Sequence, residues 1–267
     1  MIVHNFDPVL IDLGFVQIRW YSIAYIAGII LGWKYAISVI KRTIKNHNIT
    51  LVKTTDFDDL IIYLIFGIIL GGRLGYIFFY NFNYYSQNIY EIFKLWQGGM
   101  SFHGGLSGVI IATLIFCSKR KIKFFSSADI ICCAAPIGIF FGRVANFING
   151  ELFGKVSSLP WAVIFPYGGN LARHPSQIYE AILEGIVLFA IINYLAFKKN
   201  LLLKAGYISA NFLIFYSIFR ILSETFREPD KHIGYFFNYI SMGTLLSIIM
   251  FLFGCAIFFL KNNEQNH

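Results

Sequence analysis

The sequence predicts an all-α integral membrane protein with about seven transmembrane helices, its N-terminus outside and its C-terminus cytoplasmic. Three observations predict it. Hydrophobic residues make up 57% of the 267-residue chain and charged residues 13%; with a mean hydropathy of +0.63, no soluble surface can be built from that balance. The apolar residues gather into runs of about 20, the length that crosses a hydrocarbon core about 30 Å thick. The basic residues then fall between those runs, with a bias to one side.

The spans are read at about 18–40, 57–79, 98–117, 128–148, 176–197, 206–226 and 241–260, with a longest outer loop at 149–175. One side collects Lys41, Arg42, Lys45, Lys53, Lys119, Arg120, Lys121, Lys123, Lys198, Lys199, Lys204 and Lys261. The other has Lys94, Lys155, Arg173, Arg227 and Lys231. Lys and Arg are retained on the cytoplasmic side, which sets the orientation. The net charge of +8 therefore reports topology, and no nucleic-acid partner is expected. The opening residues lack a basic n-region, so the first span is expected to insert uncleaved. The whole chain, 1–267, reads as a single polytopic membrane domain without repeats.

Cys117, Cys132, Cys133 and Cys255 lie in or at the ends of apolar spans, with neither CxxC spacing nor a paired His pattern. They read as small buried hydrophobes, and no metal or cofactor is expected.

Five cations fall within the spans: Arg19, Lys34, Arg73, Arg143 and Arg220. A cation at mid-span costs about 2.5–3.5 kcal/mol on insertion scales, so it lines a cavity, pairs with an acid or snorkels to an interface. Lys34, in the cytoplasmic half of its span, suits snorkelling. The other polar residues fall in outer halves: Tyr21 and Tyr25; Arg73 and Tyr76; Met100 to Gly105, including His103; Arg143 to Glu151; Arg173 to Glu180; and Tyr216 to Arg227. A transporter would hold its polar site near the midplane with access from both sides. A scaffold would not require unpaired intramembrane arginines.

Helical spacing puts Arg143, Asn146 and Gly150 on one face, and Tyr216, Arg220, Glu224 and Arg227 on another, with Glu224 between two guanidiniums. Two readings of these arginines stand: structural ion pairs, or an anion site. Few carboxylates are expected at the depth of Arg143 and Arg220, and a planar guanidinium suits phosphate. His103 is likewise either a hydrogen-bonding packer or an acid/base group. Gly67, Gly71 and Gly75, with the pairs Gly104/Gly108 and Gly138/Gly142, have the small-xxx-small spacing of close helix packing. Trp20, Trp96, Trp161, Tyr84 and Tyr85 are expected at the outer interface.

The run Gly142-Arg143-Val144-Ala145-Asn146-Phe147-Ile148-Asn149-Gly150-Glu151-Leu152-Phe153-Gly154 resembles the signature of the prolipoprotein diacylglyceryl transferase family. Gly71 to Tyr76, Gly98 to Gly105, Arg173 to Glu180 and Phe226 to Asp230 are similar to the family in order and spacing. Ala145 stands where the family commonly has glycine, and the loop between Pro166 and Arg173 is short.

The resemblance implies transfer of the diacylglyceryl group of phosphatidylglycerol to the lipobox cysteine of a prolipoprotein, giving a thioether and glycerol 1-phosphate. The enzyme would sit among the lipids of a bacterial inner membrane, its site towards the outer face, where the embedded signal peptide of the precursor also lies. Arg143 and Arg220 would hold the departing phosphate. Asn146, Asn149, Glu151 and Gly154 of the signature, with Tyr21, Tyr216, Glu224 and Arg227, would contact or orient the substrate. A free thiol, with a pKa of about 8.5, is only slightly ionised at neutral pH. His103 would deprotonate it, or the arginine field would ionise it without a base.

Overall fold

The computed structural model describes residues 2–14, 17–94, 98–228, 235–236 and 240–266. Helices dominate: α1 (Trp20–His47), α2 (Thr54–Tyr80), α3 (Phe82–Gln87), α4 (Phe102–Arg120), α5 (Phe124–Ile148), α6 (Ser176–Glu180), α7 (Leu188–Phe197), α8 (Tyr207–Glu224) and α9 (Met242–Asn266). A wider π-helical turn, Ala181–Val187, joins α6 to α7. Among the described residues, five helical stretches are long and apolar enough to cross a membrane: Trp20–His47, Thr54–Tyr80, Phe124–Ile148, Ser176–Phe197 and Met242–Glu264. The other two expected spans fall on α4 and α8, of 19 and 18 residues.

Short strands accompany the helices. They are β1 (Ile2–Val3), β2 (Val9–Asp12), β3 (Gln17–Arg19), β4 (Val163–Ile164), β5 (Ala172–Arg173), β6 (Tyr235–Phe236) and β7 (Ile240–Ser241). β1 pairs in parallel with β4, which pairs antiparallel with β5; β2 and β3 form a hairpin, and so do β6 and β7. Arg19, expected inside the first span, ends β3 and is exposed, because the hairpin occupies the residues before α1.

The chain divides into two compact units. In Ile37–Ala128, α2 packs on α4 through glycines. A Cβ on Gly67 or Gly71 would run into the backbone of Gly108 or Gly104, and one on Gly108 into Gly67. Side chains of hydrogen alone let the two backbones touch, the contact that dispersion rewards between membrane helices. Ser101 caps α4, its Oγ accepting from the Gly104 amide at 3.2 Å. At the far end Lys121 turns left-handed (φ 55°), and the Ile122 amide donates to Cys117 O at 2.9 Å, closing the helix as a Schellman motif does.

In the unit Met1–Ala36 with Asp129–His267, Gly28 of α1 meets Gly138 of α5, where an added Cβ would lie 3.1 Å from the Gly138 Cα. A Cβ on Gly138 or on Gly142 would itself meet nothing within 4 Å among the described residues. Asp129 is buried and caps α8 from outside it. Its Oδ2 accepts from the Gly206 amide at 2.7 Å, and its Oδ1 from the Ser209 amide at 2.7 Å and hydroxyl at 2.5 Å. A carboxylate on those orphan amides satisfies them and complements the positive end of the helix. It also fixes the start of the helix that carries Tyr216, Arg220 and Glu224.

Candidate active site

Three arginines and three glutamates meet in the interior of the second unit described. Arg143 comes from α5, Glu180 ends α6, Glu184 lies in the π-helical turn, Arg220 and Glu224 come from α8, and Arg227 follows it. Arg143 Nη1 lies 2.9 Å from Glu180 Oε2, and its Nη2 lies 3.1 Å from Glu184 Oε2. Arg220 Nη1 lies 2.8 Å from Glu180 Oε1 and 3.5 Å from Glu184 Oε1, while its Nη2 pairs with Glu224 Oε1. Arg227 Nη1 reaches Glu180 Oε1 at 3.6 Å. Ser223 donates to Glu184 Oε1 at 3.2 Å, and Ser241 to Glu224 Oε2 at 3.0 Å.

The expectation that Arg143 and Arg220 lack carboxylates is therefore corrected. Glu180 and Glu184 stand one helical turn apart on the facing helix and supply them. Sequence reasoning missed Glu184 altogether and took Glu180 only as the end of the Arg173 to Glu180 segment, not as a partner of the arginines. Two acids four residues apart inside an apolar span are a signal that could have found them. Three positive and three negative charges balance formally, which offsets the cost of burying each one. Arg143 is the most exposed of the three guanidiniums, with 16% of its side chain exposed, whereas Glu180 and Glu184 have none.

Tyr216 is buried beside Arg143, Arg220 and Glu184, its ring stacked on Phe212 at 5.9 Å. Gly243, at the start of α9, leaves the room that the Arg220–Glu224 pair fills; a Cβ there would strike Glu224 Oε1.

The signature run continues from α5 into a tightly held loop. Asn146 donates to Glu151 Oε1 at 2.8 Å, and Tyr21, hydrogen-bonded to Tyr25 at 3.2 Å, lies beside both residues. α5 stops at Ile148, so Gly150 does not share the face of Arg143 and Asn146. It lies beyond the helix with φ 66°, against the His4 ring. The Asn149 Oδ1 is buried without a hydrogen-bond partner among the described residues. Gln177 donates to Glu151 O at 2.6 Å and Ser176 to Leu152 O at 3.0 Å, tying the loop to α6.

Gly154 pairs with Arg227 in an isolated β-bridge, and its amide donates to His174 O at 2.9 Å. A Cβ on Gly154 would come within 2.6 Å of the His174 backbone oxygen. That glycine lets the segment carrying Arg227 close on the loop.

His103 lies in the first turn of α4, exposed, in the other unit. Arg73, grouped by sequence with the outer polar residues, is buried and spent on backbone carbonyls. Its Nε donates to Ile92 O at 2.9 Å, its Nη2 to Glu91 O at 2.6 Å and Lys94 O at 3.3 Å, and its Nη1 to Gly98 O and to Gly99 O at 3.2 Å. Its guanidinium also lies 5.0 Å over the ring of Tyr85, which is buried. Trp96, Pro229, Asp230 and Lys231 lie outside the described residues.

These features define a multi-pass helical membrane protein whose buried polar residues form a closed arginine–glutamate cluster. The family model for prolipoprotein diacylglyceryl transferase matches residues 8–260. The chain is 48% identical over 250 residues to the phosphatidylglycerol–prolipoprotein diacylglyceryl transferase of Rickettsia bellii, covering 94% of this chain and 93% of that one. It is 48% identical to the like-named proteins of Rhodopseudomonas palustris (94% of this chain, 88% of that one) and Rhodospirillum rubrum (94% and 91%). The chain belongs to the prolipoprotein diacylglyceryl transferase family.

Proposed function

We propose that the chain transfers the diacylglyceryl group of phosphatidylglycerol to the lipobox cysteine of a prolipoprotein, the first step of bacterial lipoprotein maturation. The observation that carries this reading is the 48% identity, over 94% of the chain, to relatives named for that reaction. In it the cysteine sulfur bonds to the glyceryl carbon, and the carbon–oxygen bond to phosphate breaks with its electron pair going to the phosphate oxygen. The thiol proton ends on the released glycerol 1-phosphate.

The residues divide the work. Arg143 and Arg220 hold the phosphate and stabilise its growing charge, since donors fixed in advance need no rearrangement as the bond breaks. Their paired glutamates keep both guanidiniums in place between turnovers. Asn146, Asn149, Glu151 and Gly154 shape the headgroup side, Tyr21 and Tyr216 donate to phosphate or glycerol, and Glu224 and Arg227 brace Arg220 and Glu180. His103 takes the thiol proton. If His103→Gln keeps the full rate from pH 6 to 8, the arginine field ionises the thiol instead.

In this reading the chain crosses seven times, its N-terminus is outside and its C-terminus cytoplasmic, and the chemistry lies towards the outer face of the inner membrane. The Lys and Arg asymmetry supports that orientation. Phosphatidylglycerol arrives there by lateral diffusion, and the translocated precursor with its signal peptide still embedded. The two acyl chains gained then anchor the product stably, where a single chain would bind only reversibly.

Glycerol 1-phosphate release tests the reaction. Purified protein in detergent should release it from phosphatidylglycerol only when a lipobox peptide with cysteine is present. Equal release with a serine peptide would mean hydrolysis rather than transfer.

A further inference from the structure

We propose that Glu184 is a positioning residue that sets the spacing between Arg143 and Arg220; the inference rests on the assignment of those two arginines to the phosphate. Glu184 lies within the π-helical turn Ala181–Val187, a backbone form that is rare and frequent at functional sites. The next residue, Gly185, is pressed against α5, where a Cβ would lie 2.8 Å from the Phe140 Cβ and 3.0 Å from its Cα. The missing side chain brings the turn close enough for Glu184 to reach two helices at once.

Its carboxylate divides between them. Oε2 holds Arg143 Nη2 of α5 at 3.1 Å, and Oε1 faces Arg220 Nη1 of α8 at 3.5 Å. Ser223 fixes Oε1 from a third direction, donating at 3.2 Å. A carboxylate is rigid, so guanidiniums bound to its two oxygens keep a set separation. Glu180 engages the same two arginines and Arg227 as well, which makes it the common anion of the cluster. Of the three arginines described in the cluster, Glu184 engages only the pair assigned to the phosphate. Donors held at a fixed spacing are what stabilising a leaving phosphate demands.

Charge and length then act separately. Glu184→Gln keeps the shape but leaves the cluster with one uncompensated positive charge, so a phosphate binds more tightly and leaves more slowly. Glu184→Asp keeps the charge but draws the carboxylate back by one methylene, so the spacing changes without added attraction.

Calorimetric titration of the detergent-solubilised proteins with glycerol 1-phosphate, beside steady-state kinetics on phosphatidylglycerol, separates these effects. Glu184→Gln should bind glycerol 1-phosphate at least about tenfold more tightly, about 1.4 kcal/mol, with kcat at least about tenfold lower. Glu184→Asp should lose kcat without gaining affinity. Wild-type affinity and kcat in both variants would overturn the proposal. So would losses explained by the folded fraction alone, or failure of both variants to fold, since either assigns Glu184 to stability. Wild-type protein that neither turns over phosphatidylglycerol nor binds glycerol 1-phosphate would remove the phosphate assignment itself. Active wild type with matching variants would remove only the role of Glu184.

Discussion

Arg143 Nη1 and Glu180 Oε2 lie 2.9 Å apart, and the glutamate is fully buried. Removing one partner of such a pair costs about 3–5 kcal/mol, because the other charge stays buried without compensation. Alanine at Arg143 or Arg220 would therefore mix unfolding with lost chemistry. Lysine keeps the charge but not the planar fork that divides between two carboxylates. Arg143→Lys and Arg220→Lys should each slow glycerol 1-phosphate release at least about tenfold while the protein stays folded. Release rates set beside detergent melting curves check this.

Glycine matters where two backbones touch. Gly71→Ala drives a methyl into the Gly104 backbone, and overpacking of that kind costs about 1–3 kcal/mol. Gly142→Ala meets nothing within 4 Å. Melting temperature should fall clearly for the first variant and hold for the second.

Arg73 donates to carbonyls on the turn Ile89–Phe93, on Lys94 and on Gly98–Gly99. Glutamine there has too few donors and too short a reach. Amide exchange across Ile89–Phe93 should speed up at least about tenfold in Arg73→Gln, a loss of about 1.4 kcal/mol in local stability. Unchanged exchange would mean that the turn holds without Arg73.

His174, between β5 and α6, accepts from or donates to Tyr179 Oη at 3.2 Å. Burial, and then the charge of Lys155, push its pKa below the ordinary histidine value. The unfolded chain therefore binds the proton more readily. Stability should be complete above the ordinary value of about 6.5 and fall as pH drops below it towards the folded value. Melting temperature measured from pH 7.5 to 5 should show that slope in the wild type and a shallower one in His174→Gln.

Much of this was legible in the chain because bilayers impose length and charge rules. Apolar runs of span length predicted helices, and the spacing of Gly67, Gly71, Gly104 and Gly108 marked them for close helix packing, without saying that α2 would meet α4. The signature residues Asn146 and Glu151 do meet. What stayed hidden depends on which helices face each other. Glu180 and Glu184 became the partners of Arg143 and Arg220 only through packing, and Arg73 turned to carbonyls because its loop folds back over it. Gly150 left its helical face because the helix ends two residues earlier, a boundary that hydropathy does not mark.

The reaction joins a diacylglyceryl group to a cysteine. Detergent-solubilised protein, incubated with phosphatidylglycerol and a lipobox peptide, should give a peptide whose mass has risen by one diacylglyceryl group, with fragmentation placing the gain on the cysteine sulfur. A peptide of unchanged mass, from folded protein given both substrates, would contradict the account.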